Sequence, residues 1–120
     1  MNLNSVLIGT EDPKPLVEYY TKLFGEPSGS QGGYTWWQIG NGGFTVGEHS
    51  EVKGKNDAPG RVIWNIESAD VKGDFDRLKA AGATVVREPY SPGEPAEAAD
   101  MSIATFADPD GNYFQLASPM

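Results

Sequence analysis

The sequence predicts an α+β fold built from two copies of a strand–helix–three-strand (βαβββ) unit. Three observations predict it. Short β-rich runs outnumber helical stretches, of which there are two; each helical stretch closes at a glycine, Gly25 and Gly82; and Val6-Leu7-Ile8-Gly9-Thr10-Glu11 has a counterpart in Val62-Ile63-Trp64-Asn65-Ile66-Glu67 that also runs into a helix. Duplication of one unit explains all three.

Leu3 to Gly9 reads as the first strand. Asp12 then caps a helix whose first turn accepts Pro13 and which Gly25 closes. Within it Leu16, Val17, Tyr20, Leu23 and Phe24 recur at helical spacing and form one apolar stripe. Tyr34 to Ile39 and Phe44 to Glu48 read as strands joined by a hairpin turn at Asn41-Gly42. Ser50 to Gly60 is polar and rich in turn residues, so repeat one takes residues 1–50, a linker 51–60 and repeat two 61–120 of one domain. In the second repeat Val71, Phe75 and Leu78 make the buried face of the helix, and Thr84 to Arg87, Ser102 to Ala107 and Asn112 to Ala117 supply strands. Glu88 to Asp100, with three prolines and four acids, reads as a loop, either a lid over a pocket or a plain solvated connection.

Composition bounds the chemistry. A chain of 120 residues with 38% hydrophobic content can bury roughly two-thirds of the surface its unfolded form exposes. The absence of Cys removes disulfides, thiolate nucleophiles and Cys-based metal sites. No apolar run approaches the length of a membrane span and Met1-Asn2-Leu3-Asn4 lacks the features of a leader, so the expectation is a cytoplasmic protein. A formal net charge of −8 repels phosphate backbones and anionic lipid, which points away from nucleic acid and membranes and toward small molecules or another protein chain.

The opening helix from Asp12 to Gly25 with Tyr19-Tyr20 near its middle, the ending Leu78-Lys79-Ala80-Ala81-Gly82-Ala83, the turn Asp108-Pro109-Asp110-Gly111-Asn112 and the internal repeat together resemble the vicinal oxygen chelate superfamily. That group contains glyoxalases, extradiol dioxygenases, fosfomycin-resistance enzymes and bleomycin-binding proteins. The resemblance covers nearly the whole chain. It implies strands curled into a U-shaped cleft, usually completed by a second chain, and hence a homodimer. In enzymes of the group a divalent metal is held by one residue from each of four strands. By resemblance those places fall on Ser5, seven residues before Asp12, on Gly47, on Arg61 and on Gln115, where the usual residues are His, Glu, His and Glu. Of these Gln115 alone is a plausible ligand, since a fixed guanidinium repels a divalent cation and glycine has no donor. The expectation is therefore a protein without metal or other cofactor. Glu48 needs a bulge to turn into the cleft, and His49, the single histidine, is read as a solvated strand-end residue. A nucleophilic triad has no basis in this sequence.

Strand alternation puts Ser5, Leu7 and Gly9, then Arg61, Ile63 and Asn65, then Tyr113 and Gln115 on the cavity side. Val6, Ile8, Val62, Trp64, Ile66, Phe114 and Leu116 fall on the helix side as core. In Tyr34 to Ile39 one face holds Tyr34, Trp36 and Gln38 and the other Thr35, Trp37 and Ile39, so either choice of inward face gives the cleft a tryptophan. These residues suit a small, hydrophobic, partly aromatic ligand that stacks on an indole while Arg61, Asn65 and Gln115 take its polar groups. The leading expectation is sequestration of a natural product or antibiotic in a resistance-type manner. The opposing one is a glyoxalase-, dioxygenase- or isomerase-type enzyme, with a metal on Glu48, His49 and Gln115 or with Arg61 polarising a carbonyl. A third is a domain whose business is association with another protein. Trp36 and Trp37 have an alternative use in a dimer interface, and Arg61 in a salt bridge.

Overall fold

In the computed structural model, which describes residues 1–92 and 101–119, the chain divides between Lys55 and Asn56 into two units. The first contains β1 (Ser5–Thr10), α1 (Pro13–Phe24), β2 (Gly29–Gln31), β3 (Tyr34–Ile39) and β4 (Gly42–Glu48). Its sheet runs β1-β4-β3-β2, with β1 parallel to β4 and the other pairs antiparallel. The second contains a 3₁₀ turn (Pro59–Arg61), β5 (Ile63–Glu67), α2 (Val71–Ala80), β6 (Thr84–Tyr90), β7 (Ile103–Ala107) and β8 (Tyr113–Ala117). Its sheet runs β5-β8-β7-β6, again with the opening strand parallel to the last. The fold is α+β with a duplicated βαβββ unit, as the sequence predicts.

Each helix covers one face of its own sheet. In α1 the Asp12 carboxylate accepts from the Lys14 amide at 3.1 Å, Pro13 occupies the first position, and the chain leaves through Gly25 at φ +88°. The stripe buries Leu16, Tyr20 and Leu23. They meet the face of the sheet carrying Ile8, Trp37, Phe44 and Val46, with the Tyr20 and Phe44 rings 4.8 Å apart and the Trp37 indole stacked on Phe44 at 5.0 Å. Burial of each such side chain contributes about 1.5–3 kcal/mol, so this aromatic layer dominates the unit's stability. In the second unit Val71, Phe75 and Leu78 of α2 cover Phe106, Phe114 and Leu116.

The two helix entries show the duplication atom by atom. Thr10 Oγ1 accepts from the Asp12 amide at 3.3 Å, and Ser68 Oγ accepts from the Asp70 amide at 3.2 Å. Ser68 and Asp70 thus stand in the places of Thr10 and Asp12, and the residue seven before the cap is Ser5 in one copy and Ile63 in the other. That moves the correspondence made from sequence: Arg61 is not the counterpart of Ser5. It lies in the 3₁₀ turn ahead of β5, because Pro59 and Gly60 turn the chain there before it extends. Val62, expected as core, is 70% exposed for the same reason.

Other boundaries also differ. β1 starts at Ser5 rather than Leu3, and the short edge strand β2 has no apolar signal of its own. β6 continues past Arg87 to Tyr90, so Glu88 to Tyr90 belong to a strand; residues 93–100 of the expected loop lie outside the described residues. No helix among the described residues is long and apolar enough to cross a membrane.

The Asp108-to-Asn112 turn before β8 is held by one buried carboxylate. Asp108 Oδ1 accepts from the amides of Asp110 and Asn112, both at 2.9 Å, and both of its oxygens accept from Asn112 Nδ2. Gly111 sits at φ +83°, a conformation that a side chain would strain. The Asp110 carbonyl and the Asn112 side chain then receive hydrogen bonds from Asn56, tying down the start of the second unit.

Candidate functional site

The face of each sheet turned away from its helix carries the candidate residues other than Trp37 and Arg61. In the first unit that face presents Ser5, Leu7 and Gly9 from β1, Gly43, Thr45 and Gly47 from β4, and Tyr34, Trp36 and Gln38 from β3, as the register of paired residues requires. The phase left open by the sequence is thereby fixed. Trp36 is 37% exposed, whereas Trp37 is 2% exposed and its Nε1 donates to the Gly25 carbonyl at 2.9 Å. The Trp37 ring, one of the candidate ligand residues, is spent on the core and on closing α1.

Two glycines seat the aromatic rings on this face. A Cβ built at Gly29 would run into the Trp36 indole, and one at Gly47 into the Tyr34 ring. Both glycines lie directly across the ladder from the residue whose ring covers them. The rings therefore lie down on bare backbone and keep their outer surfaces open. Beside Trp36 is a recess of about 260 Å³ lined by Asn4, Ser5, Trp36, Gln38, Gly43 and Thr45. Trp37 and Phe44 border it as well. Of the polar groups here, Gln38 Nε2 donates to the Gly40 carbonyl at 2.8 Å and the Ser5 side chain is exposed. Thr45, which pairs with Trp36, was not anticipated, although its alternation with Phe44 and Val46 could have found it.

In the second unit, one row of paired residues crosses all four strands: Asn65, Gln115, Thr105 and Arg87. Gln115 Nε2 donates to Thr105 Oγ1 at 3.1 Å, which orients the amide along the row. Tyr113 lies one step along β8 on the same face, paired with Ile63. Trp64 lies on the helix side, stacked on Phe114 at 5.0 Å. Arg61 is exposed in its 3₁₀ turn, and no ion pair of it exists among the described residues. The sequence reading placed no weight on Thr105 or Arg87. Alternation within β7 pointed to the former; the latter is hidden by two bulges in β6.

Of the four places taken from the resemblance, Ser5, Gly47, Arg61 and Gln115, the duplicated register replaces Arg61 by Ile63 as the counterpart of Ser5 and Gly47 by Thr45 as the counterpart of Gln115. Glu48 does not turn onto the open face, because the pairing of β4 with β1 and β3 runs without a register shift. His49 is exposed beyond the strand, its Nδ1 accepting from the Glu51 amide at 3.2 Å. Among the described residues no three His, Cys, Asp or Glu side chains cluster closely enough to hold a metal ion.

A family model described as a glyoxalase-like domain matches residues 5–117. No curated protein matches the sequence. Solved structures with the same fold include a glyoxalase/bleomycin resistance protein/dioxygenase family enzyme from Burkholderia phytofirmans PsJN, with TM-score 0.72, 20% identity and both chains covered completely. Another is a glyoxalase/bleomycin resistance protein from Catenulispora acidiphila DSM 44928, with TM-score 0.74, 17% identity, and 99% of this chain and 100% of that one covered. A third is a glyoxalase-related enzyme from Fulvimarina pelagi, with TM-score 0.73, 18% identity and coverage of 98% and 88%. At these identities the likeness speaks for the fold.

Proposed function

The chain belongs to the glyoxalase-like domain family, within the vicinal oxygen chelate superfamily, and from that membership we propose that it binds a small, partly aromatic organic compound and holds it without turnover. The observation that carries the reading is the seating of Trp36 and Tyr34 over Gly29 and Gly47. Large rings left 37% and 45% exposed on a glycine floor are prepared to stack on a planar guest at little cost in side-chain entropy. On that same face Ser5, Gln38 and Thr45 offer neutral polar groups to the guest, and none of them is a strong ligand for a divalent cation. Sequestration then acts by mass action: the fraction of compound held depends on its concentration relative to Kd, and no bond is broken. We further propose that the working form is a homodimer inside the cell, and that natural products of antibiotic type are among the guests.

The test is a titration of purified protein with planar aromatic antibiotics, read by tryptophan emission and accompanied by mass spectrometry of the compound. Saturable quenching with the compound recovered intact is the expected result. Trp36→Ala should weaken binding about tenfold, equivalent to roughly 1.4 kcal/mol. Conversion of the compound, with or without added zinc, nickel, manganese or iron, would establish the enzymatic alternative instead.

A further inference from the structure

The second unit's open face contains an arginine that the strand's regular alternation would have pointed the other way. Val85 pairs with buried Phe106 on the helix side, so Arg87, two residues on, should share that side. Instead the register of β6 against β7 shifts between Val85 and Arg87, and shifts again between Arg87 and Tyr90. Arg87 therefore stands opposite Thr105 and Tyr90 opposite Ile103, both on the face turned away from α2, where Thr105 itself is 6% exposed. Bulges of this kind re-aim side chains, and here two of them bring a cation and an aromatic ring together. The Arg87 guanidinium carbon lies 3.5 Å from the centroid of the Tyr90 ring.

That stacking occupies the flat face of the guanidinium and leaves its N–H edge, which is the part that grips a carboxylate with two parallel hydrogen bonds. The chain has 17 acidic residues against nine Lys and Arg, yet no ion pair of Arg87 exists among the described residues. Glu88, its neighbour, is directed to Lys79 at 3.9 Å. Beyond Arg87 the row continues through Thr105, Gln115 and Asn65, each one strand spacing of about 4.8 Å from the last. One N–H of Gln115 Nε2 is committed to Thr105, which orients the amide and leaves the Gln115 carbonyl oxygen, its second N–H and the Asn65 amide to a guest. Gln115 and Asn65 stand two and three strand spacings from Arg87, about 10 and 14 Å, so with a hydrogen bond of about 3 Å at each end a hydroxyl about 4–8 Å from a carboxylate meets that pair.

We propose that this face is a binding site for a planar aromatic carboxylate bearing a distal hydroxyl, with Arg87 gripping the carboxylate, Tyr90 holding the guanidinium flat, and Gln115 and Asn65 receiving the hydroxyl. The assignment rests on the reading that the open sheet faces bind small aromatic guests, and it moves anion recognition from Arg61 to Arg87.

The experiment compares 4-hydroxybenzoate and 6-hydroxy-2-naphthoate with their neutral carboxamides, titrated up to their solubility limits into wild type, Arg87→Gln, Arg87→Lys and Arg61→Gln and followed by amide NMR shifts. The expected result is acid preferred over amide by at least tenfold in wild type, the preference lost in Arg87→Gln, partly kept in Arg87→Lys, and unchanged in Arg61→Gln. The amides should bind wild type and Arg87→Gln alike, which also shows the variant to be folded. Amides that bind while acids gain nothing, or an acid preference that survives Arg87→Gln, overturn the assignment and leave the aromatic-guest reading standing. If neither acids nor amides perturb the protein and planar antibiotics fail as well, both fall together.

Discussion

Two adjacent tryptophans with opposite duties show how much one residue's direction decides. Trp36 and Trp37 are chemically identical and neighbours in β3, but the first lies on Gly29 with its outer face open while the second stacks on Phe44 and donates to Gly25. Alternation told that one indole would be inward and could not tell which, because both phases of the strand carry an aromatic and a hydroxyl or amide. The phase is set by tertiary fit: the face holding Trp37 is the one whose neighbours Phe44, Val46 and Tyr20 form a closed aromatic layer. Truncation should separate the roles. Trp37→Ala opens a cavity in that layer and removes a hydrogen bond, and should cost about 3–5 kcal/mol in chemical denaturation. Trp36→Ala should cost under about 1 kcal/mol by the same measurement while reducing ligand affinity. Equal losses of stability would mean that Trp36 is part of the core.

At the level of elements, the parts with local signals were legible and the parts set by pairing were not. Helix α1 was readable end to end from Asp12, Pro13, the apolar stripe and Gly25, because each of those residues has a local physical reason to be there. Strand β2 was not, since Gly29, Ser30 and Gln31 are polar or small and become a strand by pairing with Tyr34 to Trp36. The Arg61 assignment failed through a similar gap, because a strand was extended backward through a segment that the Pro59 turn had already closed. The bulges of β6 concealed Arg87, as a change of register leaves no mark in a period-2 pattern. The turn before β8 was legible as a turn, but its energetic weight appears only from the hydrogen bonds converging on Asp108. Removing that carboxylate leaves the amides of Asp110 and Asn112 in a partly buried site without their acceptor. Asp108→Ala should therefore cost about 2–3 kcal/mol, against about 1 kcal/mol for loss of the exposed α2 cap in Asp70→Ala, both measured by urea denaturation. A reversal of that order would show that the turn is held by the chain on either side of it.

For the whole molecule the argument concerns surface. The protein has a mass of 12.9 kDa and exposes Leu7, Tyr34 and Trp36 on the open face of its first unit, with Val62 and Val86 exposed in the second. A small monomer rarely leaves large apolar side chains grouped on one sheet face unless something covers them, whether a guest or another chain. The net charge of −8 opposes close approach of two copies, so an assembly held by apolar contact should tighten as salt screens the repulsion over a Debye length of about 10 Å at 0.1 M. Light scattering after size exclusion should accordingly report a dimer at micromolar concentration, with the dimer fraction rising as sodium chloride is raised from low to moderate ionic strength. An ion-paired assembly would respond the other way and dissociate with salt. A monomer at every salt concentration would instead assign the exposed aromatic face to the small-molecule guest alone, and Leu7→Asp would then leave the solution mass unchanged while still weakening the guest.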